Sequence, residues 1–230
     1  MQLLEGVIKN YEWGSLSSIP SLLGRPQDGK PWAELWFGAH PSAPSLLSPT
    51  QQRLDSVVAG DPDTSLGPQI AHRFGSLPFL LKILAAAEPL SLQAHPSIEQ
   101  AEAGHAREDA AGVPLDAPNR SFRDRLHKPE LICALTEFEA LCGFRDPLAT
   151  LAILATIDTP VLDPIRARIK AEPNADGLNA LLKYLLTLSA ADADALVGPV
   201  VAACGRPGSD VGAGERAMAA ALGARHPNDA

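Results

Sequence analysis

A chain of 230 residues, 46% apolar and 20% charged, is long enough for one large or two smaller globular domains and too apolar for a disordered polymer. Its net charge of −8, with no run of Lys or Arg, excludes a nucleic-acid partner, which needs a basic face to release phosphate counterions. The first residues show no basic segment followed by an apolar one, and the apolar stretch at 77–87 is short for a bilayer and contains Lys82; a soluble, cytoplasmic chain with no membrane partner is expected.

In chain order, residues 2–9 (QLLEGVIK) alternate weakly and predict an edge strand. Residues 33–41 (AELWFGAHP) alternate more clearly, with Glu34, Trp36 and Gly38 on one side and Leu35 and Phe37 on the other. A helical pattern covers 63–74. Two strands are expected at 79–85 and 90–95, separated by the Glu88–Pro89 turn signal. A second helix is expected over 97–111, where Ser97 and Gln100 fit a capping box. KPELICAL, from Lys128 to Leu135, reads as a further strand with Lys128 and Glu130 on one face and Leu131, Cys133 and Leu135 on a core face.

Composition changes at Asp146–Pro147: Pro, Gly, Trp and His give way to Ala, Leu and Asp. The spacing then predicts helices at 147–156, 162–170, 176–188, 190–203 and 213–223, with Asp146 and Ser189 as N-caps. Domains of 1–146 and 147–230 follow. Cys133, Cys142 and Cys204 form no CxxC pair, so reduced, mostly buried thiols are expected rather than a disulfide framework or a thiolate metal site.

Chemistry concentrates in two segments. In a strand, Ser91, Gln93 and His95 would share a face, and an imidazole beside an amide oxygen can bind a divalent ion. From those residues alone, a hydrogen-bonded surface or core pair with no metal is the commoner reading. Glu130, inside an apolar strand, must be paired, neutralised or metal-bound if buried, and an ion pair with Lys128 or Arg125 is the competing reading.

Five ordered motifs settle the comparison: NYEWG at 10–14, AELWFGAHP at 33–41, LPFLLKIL at 77–84, PLSLQAHP at 89–96 and HKPELICALTEFEALCGFR at 127–145. Together they resemble the amino-terminal motifs of type I phosphomannose isomerases, which are metal-dependent cupins. The resemblance implies an α+β fold: a partial cupin jelly-roll β-sandwich over 1–146, a helical insert over 147–230, and no second half of the family fold. It implies one Zn2+ held by Gln93, His95 and Glu130, with the fourth ligand missing. That ligand is a His from a PHAY-like segment, and neither His226 nor His40, His72, His105 or His127 matches it. The family's later catalytic Arg is missing too.

The resemblance further implies a hexose 6-phosphate substrate, with Lys128 catalytic and Trp13, Glu34, Lys82 and Ser91 binding substrate. The residues alone leave Glu34 and Lys82 open to a plain salt-bridged strand pair and Trp13 to core packing. The expected activity is zinc-dependent interconversion of mannose 6-phosphate and fructose 6-phosphate through a cis-enediol, with little or no turnover from these residues alone. A non-catalytic metal- or sugar-phosphate-binding remnant is the alternative. A helical interaction module is disfavoured, because the motifs crowd the β portion.

Overall fold

The structure, a computed structural model, describes residues 2–208 and 210–227. It contains two compact units, Met1–Pro129 and Glu130–Ala230. The compositional change at Asp146–Pro147 falls inside the second unit, where its first helix begins.

In the first unit, β1 (Leu3–Glu5) pairs antiparallel with β4 (Leu46–Ser48), which pairs with β5 (Gln52–Arg53). A second antiparallel sheet has β3 (Glu34–Gly38) at its centre, between β2 (Val7–Lys9) and β6 (Leu80–Leu84). Its register sets Lys9 opposite Glu34, and Trp36 opposite both Val7 and Lys82.

Side chains alternate across a strand, so this register sorts the sheet into two unlike faces. One face carries Ile8, Leu35, Phe37 and Ile83, which pack with Trp32, Ala85 and Ile19 of α1 (Ser18–Leu22). Each such aliphatic side chain contributes roughly 1.5–3 kcal/mol when fully removed from water. The other face carries Lys9, Glu34, Trp36 and Lys82. The division of AELWFGAHP into two sides is as its alternation predicts. Gly14 bridges to Ala86 beside this sheet, and a Cβ on it would lie 2.6 Å from the Ala33 Cα, so glycine is what lets the Gly14 and Ala33 backbones approach.

Three helices follow β5: α2 (Leu54–Gly60), α3 (Pro62–Leu66) and α4 (Pro68–Phe74). The single helical pattern expected at 63–74 is two helices, because Pro68 has no N–H to continue the ladder past Gly67. α5 (Ile98–Ala110) has the expected capping box, with Ser97 and Gln100 each bonding the other's backbone N–H. Behind α5, the fully buried Arg120 side chain donates to the Val113 and Phe122 carbonyls and to Asp109, and pairs with Glu108 at 3.1 Å. A buried guanidinium is tolerated because its donors are occupied, and it ties the 111–122 loop to the helix.

Three strand expectations need correction. QLLEGVIK is not one edge strand but two, broken at Gly6 and shared between the two sheets. Residues 90–95 and 128–135 carry no strand. Each has strand-like alternation, but proline at 89, 96 and 129 removes ladder donors, and neither segment has a paired neighbour among the described residues. The core face expected of KPELICAL is exposed as a result: Leu131 is 98% and Leu135 75% accessible.

The second unit is helical: α6 (Pro147–Leu154), a 3-10 turn at Pro160–Leu162, α7 (Asp163–Ala171), α8 (Ala175–Leu186), α9 (Ala190–Cys204) and α10 (Ala213–Arg225). These lie within a few residues of the expected spans. Asp146 accepts from the Leu148 and Ala149 N–H groups, and Ser189 from that of Asp192, as their N-cap assignment requires. The core joins Ile157, Leu162, Ile165, Ile169, Ala203 and Cys204. Arg166 donates to the carbonyls of Leu154, Ile157 and Thr159, which satisfies the acceptors left where α6 ends. No single helix among the described residues is long and apolar enough to cross a membrane.

The thiols also differ from expectation. Cys204 is buried and desolvation raises its pKa, whereas Cys133 and Cys142 are exposed because their segment has no strand neighbour. Two of three thiols should therefore react quickly with a disulfide reagent in the native chain, and the third only in denaturant; a native titre of one or fewer would contradict the exposure of 131–144. Ile169, 1% accessible at the centre of the helical core, is expected to cost about 2–5 kcal/mol as Ile169→Ala in urea unfolding. A change under about 0.5 kcal/mol would mean this core is not packed as described.

Candidate active site

The polar face of the β2–β3–β6 sheet forms one wall of a cleft of about 280 Å3. Tyr11, Trp13, Glu34, Trp36, Lys82, Leu90, Ser91 and Gln93 line it. Four of the residues named from sequence for substrate, Trp13, Glu34, Lys82 and Ser91, thus meet around one space together with the proposed ligand Gln93.

Glu34 is the chemical centre of this wall. It is 7% accessible, and a carboxylate that deep must be paired. Its Oε2 accepts from the Trp36 indole Nε1 at 2.7 Å, and its Oε1 lies 3.6 Å from Lys82 Nζ. The salt-bridged pair that the residues alone allowed is therefore present, and it sits in the cleft. Lys82 Nζ also lies 4.9 Å from the centroid of the Trp36 ring, which places its charge on an aromatic face. Trp13 is half-buried and stacks on Tyr11, with ring centroids 5.6 Å apart, so it forms wall rather than core. Desolvation and then the Glu34 charge raise the Tyr11 phenol above its ordinary range, so it stays a hydrogen-bond donor into alkaline solution.

Ser91 and Gln93 reach the cleft from a segment with no regular structure. Two residues on, His95 Nδ1 is 2.7 Å from the Lys128 backbone carbonyl oxygen. A carbonyl only accepts, so Nδ1 carries the proton and a neutral ring has its lone pair on Nε2. Ligating histidines are commonly oriented in this way, by a carbonyl on the nitrogen that does not bind metal. This contact joins the QAHP and HKPE motifs, which are far apart in sequence.

The Lys128 side chain is clasped by Asp124, with Nζ 2.7 Å from both carboxylate oxygens. Burial works to raise the Asp124 carboxyl, but hydrogen bonds from Lys128 and from the Leu126 amide outweigh it and hold the group below the usual carboxylate range. The ammonium that competed for Glu130 in the sequence reading is thus engaged by a different acid. Glu130 itself opens the second unit, exposed and outside regular structure.

Among the described residues no three His, Cys, Asp or Glu side chains form a metal-binding group. The donor set named from sequence has a different composition: an amide oxygen, an imidazole nitrogen and a carboxylate. All three suit Zn2+, and the tautomer imposed on His95 by Lys128 is the ligating one. Within the first unit, the residues present fit the ion.

Lys9, Tyr11, Trp36 and Asp124 were not singled out from sequence. Tyr11 was visible inside NYEWG and Trp36 inside AELWFGAHP. Lys9 could have been found by extending the strand alternation across the pair. Nothing in the sequence marks Asp124. His40, one of the histidines that match no ligand motif, packs edge-on against Trp36 with ring centroids 5.1 Å apart. Desolvation lowers its pKa; Asp124 opposes that shift, and Lys9, Lys128 and Lys82 add to it.

Residues 1–147 match the family model for phosphomannose isomerase type I, catalytic domain. Mannose-6-phosphate isomerase of Escherichia coli (strain K12) is 40% identical over 192 residues, covering 82% of this chain and 49% of the relative. The Salmonella typhimurium enzyme is 40% identical over 196 residues, with the same coverage of 82% and 49%. The structure of mannose 6-phosphate isomerase from Salmonella typhimurium bound to substrate (f6p) and zinc superposes with a TM-score of 0.86 at 34% identity, over 99% of this chain and 57% of that one. The chain spans about half the length of the curated relatives it matches. It belongs to the type I phosphomannose isomerase family.

Proposed function

We propose that this chain supplies three zinc ligands and a substrate-binding wall to an aldose–ketose isomerase that interconverts mannose 6-phosphate and fructose 6-phosphate. The observation that carries this reading is the convergence of Trp13, Glu34, Lys82, Ser91 and Gln93 on one cleft, with His95 two residues further on and oriented by Lys128. The same reading takes the two small sheets as part of a cupin jelly-roll, with 147–230 as its helical insert, working in the cytoplasm.

The reaction moves a proton between C2 and C1 of the sugar through a cis-enediol, so it needs a proton carrier and donors for the developing enediolate oxygens. Gln93, His95 and Glu130 would hold the ion, which when bound supplies Lewis-acid polarisation of the substrate oxygens. The aromatic surfaces of Tyr11, Trp13 and Trp36 take the apolar face of the sugar and keep water from it. Ser91 donates its hydroxyl to a sugar or phosphate oxygen. Lys82, only loosely paired with Glu34, offers ammonium N–H donors to the same oxygens. Lys128 is the group assigned to exchange the proton: its ammonium, held by Asp124, donates to a sugar oxygen, and the amine left behind is the form that accepts from carbon.

A binding role without turnover is the second reading. It is favoured by the make-up of the cleft, whose aromatic, hydroxyl and ammonium side chains can hold a sugar phosphate without any proton transfer. A coupled assay of the purified chain with added zinc separates the two, since the second reading allows hexose phosphate binding with no conversion.

The metal assignment is tested first. After dialysis against zinc and then against buffer, the chain should retain about one zinc by elemental analysis, as a single site holds one ion. His95→Ala and Glu130→Ala should each lose most of it. Zinc content unchanged in both variants would remove these residues from the site.

A further inference from the structure

Lys9 is a cation that the site described so far does not use. It ends β2 directly opposite Glu34, so its side chain emerges on the cleft face of the sheet, beside Trp36. It is half-buried, its Nζ 4.9 Å from the Trp36 ring centroid and 6.0 Å from that of Tyr11, and both rings line the cleft.

The carboxylate it faces across the strands is already engaged. Glu34 gives one oxygen to the Trp36 indole and the other to Lys82. Among the described residues no acid lies within ion-pair distance of Lys9. The wall therefore carries two ammonium groups against one carboxylate, in a chain whose net charge is −8. A half-buried ammonium with only aromatic faces for company is under-solvated and lacks a counter-charge. An anion arriving beside it gains a charge-assisted hydrogen bond and displaces little water.

We propose that Lys9, held over Trp36 and Tyr11, is the side chain that selects a phosphorylated sugar over a free one in this cleft. The inference rests on the hexose-phosphate reading given above and deepens it by naming the residue that meets the phosphoryl dianion. The aromatic shelf contacts the carbon skeleton, which phosphorylated and free sugars share. The ammonium meets the one group that distinguishes them. A point charge on a flexible stem suits a phosphoryl group that can rotate, whereas the loosely paired Lys82 has Glu34 to share.

Tryptophan fluorescence of the full 230-residue chain, titrated with fructose 6-phosphate and separately with fructose, tests this. Lys9→Gln should weaken fructose 6-phosphate binding roughly tenfold and leave fructose binding unchanged, while Lys9→Arg should stay near the parent value. Raising NaCl should erode the parent's preference for the phosphorylated sugar more than that of Lys9→Gln, as screening acts on the removed charge. A circular-dichroism melt confirms that each variant is folded. Binding of fructose 6-phosphate by the parent that Lys9→Gln leaves intact overturns the role of Lys9 alone. A parent chain that binds neither sugar overturns this inference together with the reading it rests on.

Discussion

The hydrogen bond from His95 Nδ1 to the Lys128 carbonyl is the constraint on which the site depends. It joins two motif segments that lie outside any strand, and it does so through a backbone acceptor that no side-chain substitution removes. It also decides the chemistry of the imidazole. With Nδ1 committed as a donor, the neutral ring presents Nε2 as its basic nitrogen, the form a zinc ion requires. Arg120 supports this arrangement from behind: its buried guanidinium fixes the loop after α5 to the helix, just before the chain reaches Asp124 and Lys128.

The cleft wall is a consequence of strand alternation applied to a sheet with one dry side. Leu35 and Phe37 are held against Ile19, Trp32 and Ile83, so Glu34 and Trp36 must point the other way. A one-residue slip of β3 would bury Glu34 among those aliphatic groups without a partner. The hydrophobic core therefore fixes the register that puts a carboxylate, an indole and two ammonium groups on the cleft face. Glu34 tolerates its depth because both of its oxygens are engaged. Those engagements leave Lys9 as the unmatched charge.

Much of this could be read from the residues. The two sides of β3, the capping box of α5, the caps of α6 and α9 and the five helices of the second unit all follow from local patterns, which need no knowledge of distant neighbours. The cleft residues came instead from the resemblance, since nothing about Trp13 or Lys82 in isolation distinguishes a site from a core. What failed was non-local. Segments 90–95 and 128–135 alternate like strands, yet a strand exists only where another lies alongside, and sequence alternation carries no information about that. The same omission turned Leu131 and Leu135 from a core face into an exposed one. Lys9 and Asp124 matter because of what lies opposite them, which a single-strand reading does not include.

Under the proposed function, the Lys128 carbonyl holds the His95 proton on Nδ1. Long-range proton–nitrogen NMR of the chain labelled with nitrogen-15 reads the tautomer of each imidazole directly. The neutral His95 ring is expected to carry its proton on Nδ1, with the Nε2 resonance shifting when zinc is added. A His95 ring protonated at Nε2, or one whose nitrogens are unmoved by zinc, would contradict it.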